Sequence, residues 1–177
     1  MHSMGYNATG IKDITDAAGI PKGSFYNYFD SKEDFAVAAM QYYYDLYSAS
    51  DEDALRDSQL PPLERLRALF ERRLVGVVER QKFSRGCFIN NMCQEMADHG
   101  GAISQNISRH IRNSRFAMAA CLAEAQQRGD IAADYDVEQL AQFIDNAWKG
   151  VITTAKAEHS EADFTGFMNL VFNKLLR

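Results

Sequence analysis

The segment from Thr9 to Phe35 constrains the fold more than any other, because it spells two short helices joined by a tight turn, with a third directly behind. Ile11, Ile14 and Ala18 recur at helical spacing and predict one apolar side, with Asp13 and Asp16 turned to water. Thr9 is expected to cap this helix by accepting a free amide hydrogen. Gly19 follows the last periodic residue, where a left-handed backbone costs glycine little, and Pro21 opens the next helix, where no N–H is needed. The turn is therefore only Gly19-Ile20-Pro21. In the second helix Phe25 and Phe29, four apart, are expected to bury together and leave Lys22, Gly23, Ser24, Tyr26 and Asn27 outside. Ser31 is the expected cap of the third helix, with Asp34 three residues on. The outward set suits a nucleic-acid surface: Lys and Tyr reach phosphates, Ser and Asn bond base edges, and Gly permits close approach. Periodicity alone leaves a plain helical hairpin, with its aromatic residues filling some other core, equally open.

The remainder also carries helical periods. The third helix continues through Phe35, Ala39, Tyr42, Tyr43 and Leu46, and the cluster Tyr42-Tyr43-Tyr44 with Tyr47 reads as packing or as a ligand cage. Ser48 to Ser58 is polar and acidic and predicts a loop or frayed end. Pro61-Pro62 starts a helix striped by Leu63, Leu66, Phe70, Leu74 and Val77. Gln81 to Gly86 breaks the pattern, Cys87 to Ala97 is a short helix, and Ile103, Ile107, Ile111, Met118, Leu122 and Ala125 mark a long one stopping at Gly129. Asp136 caps a helix with Leu140, Ile144, Trp148 and Ala155 inward. The last, about 162–176, carries more apolar surface than one side needs. Its pair with the preceding helix suggests a four-helix homodimer interface, the alternative being closure of the monomer core. The expectation is an all-α chain with a helix-turn-helix unit at 1–47 and an effector-sensing and dimerisation unit at 48–177.

Composition removes several function classes. At 177 residues, 46% hydrophobic, the chain can bury a real core. A net charge of −5 argues against indiscriminate nucleic-acid binding. The head sets Lys12, Lys22 and Lys32 against five carboxylates, so salt-sensitive binding is expected. The longest apolar run, Leu74 to Val78, is too short to span a bilayer, and no export signal is visible, so a cytoplasmic location without membrane partner is expected. Cys87, Cys93 and Cys121 have no metal-ligand spacing and do not suggest a disulfide framework, and the four histidines form no ligand pair. No cofactor, metal or catalytic constellation is expected, and hence no enzyme.

The stretch GYNATGIKDITDAAGIPKGSFYNYFDSKEDF, with its core G-hydrophobic-x-K-G-S-x-Y-x-Y-F-x-S-K-E, resembles the DNA-binding region of the TetR family of transcriptional regulators. The resemblance implies that Thr9, Lys22, Gly23, Ser24, Tyr26, Asn27 and Lys32 face operator DNA; the family often has His at the position of Asn27. It implies a dimer whose heads meet half-sites about 34–36 Å apart or a multiple of that. It also implies a helix before Gly5-Tyr6, where only Met1 to Met4 stand here. The segment Arg85 to Asp98 is similar to that of a subgroup typified by an N-ethylmaleimide-responsive repressor, which implies an electrophile-sensing role for Cys87 with Lys156 cooperating. Physically, Cys87 would lie in a first helical turn capped by Ser84, near Arg85, which suits a nucleophilic sulfur; an inert packed cysteine is the alternative. A conventional apolar pocket for a small-molecule effector would draw on Phe70, Phe88, Met92, Met118, Phe143 and Trp148. The expected function is a repressor released from its operator by a small effector. The alternative is a dimeric ligand-binding protein lacking effective DNA binding.

Overall fold

Every regular element of the computed structural model, which describes residues 1–57 and 59–177, is helical. α1 (Ile11–Ala18) and a 3-10 helix (Lys22–Asn27) form the head with α2 (Lys32–Tyr43). α3 (Ala49–Arg56), α4 (Pro62–Val75), α5 (Phe88–Met96), α6 (Gly101–Gln127), α7 (Val137–Glu158) and α8 (Ala162–Leu170) follow. Three π turns, Tyr44–Ser48, Gly76–Arg80 and Val171–Leu175, extend α2, α4 and α8.

Local chemistry sets most of the boundaries. Gly19 is left-handed (φ 68°), and its N–H reaches the Asp16 carbonyl at 3.1 Å while Ile20 N–H reaches Thr15 at 3.0 Å, closing α1. Pro62 occupies the first turn of α4. The Asp136 carboxylate accepts the Glu138 and Gln139 amides at 3.0 and 3.1 Å at the start of α7. Ser31 Oγ accepts the Asp34 amide at 3.0 Å, and the Asp34 carboxylate reaches one residue past the cap, to Asp30 N–H at 3.2 Å. Losing such a cap costs about 1 kcal/mol. Ser31→Ala should therefore lower the melting temperature by roughly 2–4 °C in a circular-dichroism melt, and an unchanged melt would mean that the cap is redundant.

Three local expectations are corrected. Thr9 does not cap α1: Gly10 does, with Asp13 Oδ2 accepting its N–H at 2.8 Å, while Thr9 is buried and donates to the Gly5 carbonyl at 2.6 Å. Ala18 is exposed; Thr15 is the buried residue of α1, because its hydroxyl lies 3.1 Å from both the Ile11 and Lys12 carbonyls and so needs no water. Most of the acidic stretch expected as a loop is α3. Asp51 accepts from Arg72 and Arg73 at 2.7 and 2.8 Å, Tyr44 donates to Glu52 at 2.6 Å, and Leu55 is buried. Tertiary pairing overrides its poor helix propensity. Ser58 lies outside the described residues.

Two apolar clusters result. The larger joins α4, α6, α7 and α8 around Leu66, Phe70, Met118, Leu122, Ile144, Trp148 and Phe164. Each such side chain contributes about 1.5–3 kcal/mol on burial. The smaller fastens Ala36 and Met40 of α2 to Phe88, Ile89 and Met92 of α5 and Ile103 and Ile107 of α6. The head therefore shares a core with α5, the helix that follows Cys87. Two polar ties reinforce the join: Asn7 N–H donates to Glu95 at 2.9 Å, and Ala102 N–H to Glu33 at 3.1 Å.

Candidate nucleic-acid interface and effector cavity

The head rests on Phe25, 2% exposed, whose ring meets Phe29 at 5.4 Å and Phe35 at 5.9 Å. That aromatic base turns the intervening side chains outward. Lys22, Gly23, Tyr26 and Asn27 are exposed and Ser24 is half-buried. The remaining two candidates differ. Thr9 is occupied internally, and Lys32 is half-buried, its Nζ 3.1 Å from the Tyr6 carbonyl and 4.2 Å above the Tyr6 ring. Tyr28, 74% exposed just past the 3-10 helix, is a further outward phenol that α-helical phasing had not singled out. The signal was present in the spacing Tyr26-Asn27-Tyr28.

A cavity of about 380 Å³ lies between the end of α2, α4 with its π turn, α6 and α7, and Cys87 is in its wall. It differs from the apolar pocket expected. Of the six residues expected to line it, only Trp148 does. Phe70, Phe88, Met92 and Met118 are core, and Phe143 is 58% exposed on the outer side of α7. Aromatic and Met residues at helical spacing fill space completely, whereas an open cavity survives where charged side chains resist collapse. Arg72, Arg73, Arg80, Arg85 and Lys149 supply five cations to the wall against two carboxylates, Asp51 and Asp145. Asp145 is 4% exposed and accepts from Arg115 Nε at 2.9 Å and Lys149 Nζ at 2.5 Å.

Cys87 is half-buried and is itself the N-cap of α5. Ser84 does not cap the helix, because its hydroxyl donates to the Gln81 carbonyl at 2.6 Å. The Tyr43 hydroxyl neighbours the Cys87 thiol; burial first, and then that sulfur, push the phenol above its ordinary range. Tyr43 and Tyr47, in contact at 4.8 Å, both line the cavity, so the tyrosine cluster serves packing and wall at once. Gly86 has φ +70°, and a methyl added there would meet Ile152 Cγ2 at 3.2 Å and Lys156 Cδ at 3.9 Å. Lys156 is thus beside the Gly86-Cys87 corner, but exposed on α7. His2 closes the same corner, its Nε2 3.1 Å from the Gly86 carbonyl, and burial holds its pKa below the usual value.

Two lining groups that sequence reasoning missed are unpaired among the described residues. His110 is 6% exposed and stacks on Tyr44 at 4.8 Å, yet neither ring nitrogen has a partner. The Gln81 Oε1 is likewise buried and unpaired. Burial, then Arg109, lower the His110 pKa, so the ring is neutral at neutral pH.

A family model described as "Bacterial regulatory proteins, tetR family" matches residues 1–39, and one described as "Tetracyclin repressor-like, C-terminal domain" matches residues 62–171. The chain belongs to the TetR family. It is 31% identical to the HTH-type transcriptional repressor DhaR of Mycobacterium sp. (strain GP1) over 97% of this chain and 84% of that protein. The crystal structure of regulatory protein TetR from Rhodobacter sphaeroides superposes with a TM-score of 0.88 at 32% identity, covering 98% of this chain and 90% of that one. The repressor NemR of Escherichia coli (strain K12) is 24% identical over 88% of this chain and 78% of its own length. This TetR-family chain is therefore a DNA-binding transcriptional repressor, of a family of dimeric, ligand-binding regulators, and not an enzyme. Among the described residues no helix is long and apolar enough to cross a membrane.

Proposed function

We propose that this repressor acts in the cytoplasm as a homodimer that holds an operator through Lys22, Gly23, Ser24, Tyr26 and Asn27 and releases it when an effector reaches the cavity at Cys87. Tyr28 joins the contact set, while Thr9 and Lys32 brace the head from within. The observation that carries this reading is the exposed polar face of the 3-10 helix over its buried Phe25 base. α7 and α8 supply the dimer interface, which accounts for the exposure of Phe143 and Leu170, at 58% and 62%. The boundary between head and sensing unit falls near residue 47, within the first π turn.

Lys22→Ala and Tyr26→Ala test the head. Each loss of a phosphate contact counts twice in a dimer, about 2 kcal/mol in total, so affinity for the DNA upstream of its own gene should fall roughly thirtyfold. For Lys22→Ala the slope of log affinity against log salt should also shrink by about 2. Mobility shift at physiological salt reads the affinity, and sedimentation checks that dimerisation is unchanged. Equal affinity in variant and parent would remove these two side chains from the interface, and no binding by the parent would leave the ligand-binding alternative standing.

The sensing step proposed is covalent. The Cys87 sulfur adds to an electrophile such as N-ethylmaleimide, forming a C–S bond while the thiol proton ends on the adduct's carbon. The added bulk falls at the start of α5, which shares its core with α2. Lys156, beside Gly86, is the cationic neighbour available to the adduct.

A further inference from the structure

We propose that the cavity beside Cys87 binds a small amphipathic organic monocarboxylate, its anion held by Arg80 and Arg85 and its apolar part against Trp148 and Ile152. This rests on reading the chain as an effector-relieved repressor, and it adds a reversible ligand of defined charge to the covalent step.

The charges around the cavity are unequal in a way the fold does not need. Asp51 is shared by Arg72 and Arg73, and Asp145 by Arg115 and Lys149, so each carboxylate already faces two cations. Arg80 and Arg85 pair with no carboxylate among the described residues. Both are exposed at the cavity's edge, where a guanidinium fork takes a carboxylate through two parallel hydrogen bonds. A neutral apolar ligand would leave those forks unused, and a cation would meet a positive wall.

The second observation is independent of charge. His110, nine-tenths buried, and Gln81 both line the cavity, and among the described residues neither His110 ring nitrogen nor Gln81 Oε1 has a partner. An unmet buried polar atom costs about 1–3 kcal/mol, so a site that keeps three of them on two side chains is built to receive a polar group. Neutral imidazole offers one donor and one acceptor, which suits a hydroxyl or carbonyl carried by the ligand. The volume of about 380 Å³ is at the small end of ligand pockets, which favours compact acids over long acyl chains. The cavity wall includes Tyr43, the last residue of α2, so an occupant touches the helix that carries the head.

The test uses the full chain without DNA. Benzoate and hexanoate, with benzamide and hexanamide as neutral matches, are titrated by calorimetry. The carboxylates should bind at least tenfold more tightly than their amides. In the Arg80→Gln/Arg85→Gln variant, whose exposed positions leave the melt unchanged, that preference should vanish. Amides binding as well as acids, neither acid binding, or a preference that survives in the variant would each overturn the proposal. Operator release is read separately by mobility shift. Arginine-dependent carboxylate binding with the operator still held would keep the site and overturn the effector-release reading instead.

Discussion

Asp145→Ala should destabilise the sensing half by about 3 kcal/mol. The carboxylate is 4% exposed and holds both Arg115 and Lys149, so its removal leaves two cations without a counter-charge at the edge of an already positive cavity. Those cations are 28% and 21% exposed and recover some hydration, which puts the cost at the low end for a broken buried pair. A chain of this size should melt roughly 6–12 °C lower, measured at fixed protein concentration because dimerisation couples to stability. Asp145→Asn keeps the volume and one acceptor and should lose about half as much. A melt within 1–2 °C of the parent, on the order of 0.5 kcal/mol, would show that solvent replaces the carboxylate and that the pairs contribute little.

Cys87→Ser should abolish operator release by N-ethylmaleimide while leaving operator affinity unchanged, because the serine preserves shape at the α5 N-cap but is not a comparable nucleophile. The three thiols provide an internal control. Cys121 is 3% exposed, donates to the Pro62 carbonyl at 3.2 Å, and burial pushes its pKa up to about 11. At pH 7 its thiolate fraction is on the order of one in ten thousand. Cys121 should therefore label last. Cys93, half-buried within α5 against the smaller core, should lag behind Cys87 at the cavity. Mass spectrometry of a time course should find the first adduct on Cys87. Simultaneous labelling of all three, or release that persists in Cys87→Ser, would reduce this thiol to a wall residue.

The head was legible because its determinants are local. Gly19, Pro21, Ser31 and the Phe25/Phe29 pair act within one or two turns of chain, and each does in the structure what its chemistry requires. The misreadings there came from choosing between near neighbours: Thr9 for Gly10 as cap, one residue away, and Ala18 for Thr15 as the buried position, one turn away. The long apolar helices were legible from periodicity. The cavity was not, because its defining residues are charged and come from segments far apart in sequence. Asp51 finds Arg72 and Arg73 across 21 and 22 residues, and Asp145 finds Arg115 across 30. No spacing rule announces such pairs. The segment around Asp51, read as a loop from its acidic composition, is helical because of them. Four of the six apolar residues nominated for a ligand, Phe70, Phe88, Met92 and Met118, went instead into the core.

The π turn at Tyr44–Ser48 joins α2 to α3 as one unbroken rod from Lys32 to Arg56. Its extra residue resets the screw phase of that rod by about 100°. Upstream of the reset, Ala36 and Met40 lie flush with α5 and α6; downstream, Asp51 and Leu55 meet other surroundings, toward α4. A plain α-helix of the same length could not serve both neighbours at once. The mechanical link between duplex and sensor is therefore a shaft with a built-in offset, and twisting it is geometrically equivalent to sliding that single surplus residue along its length.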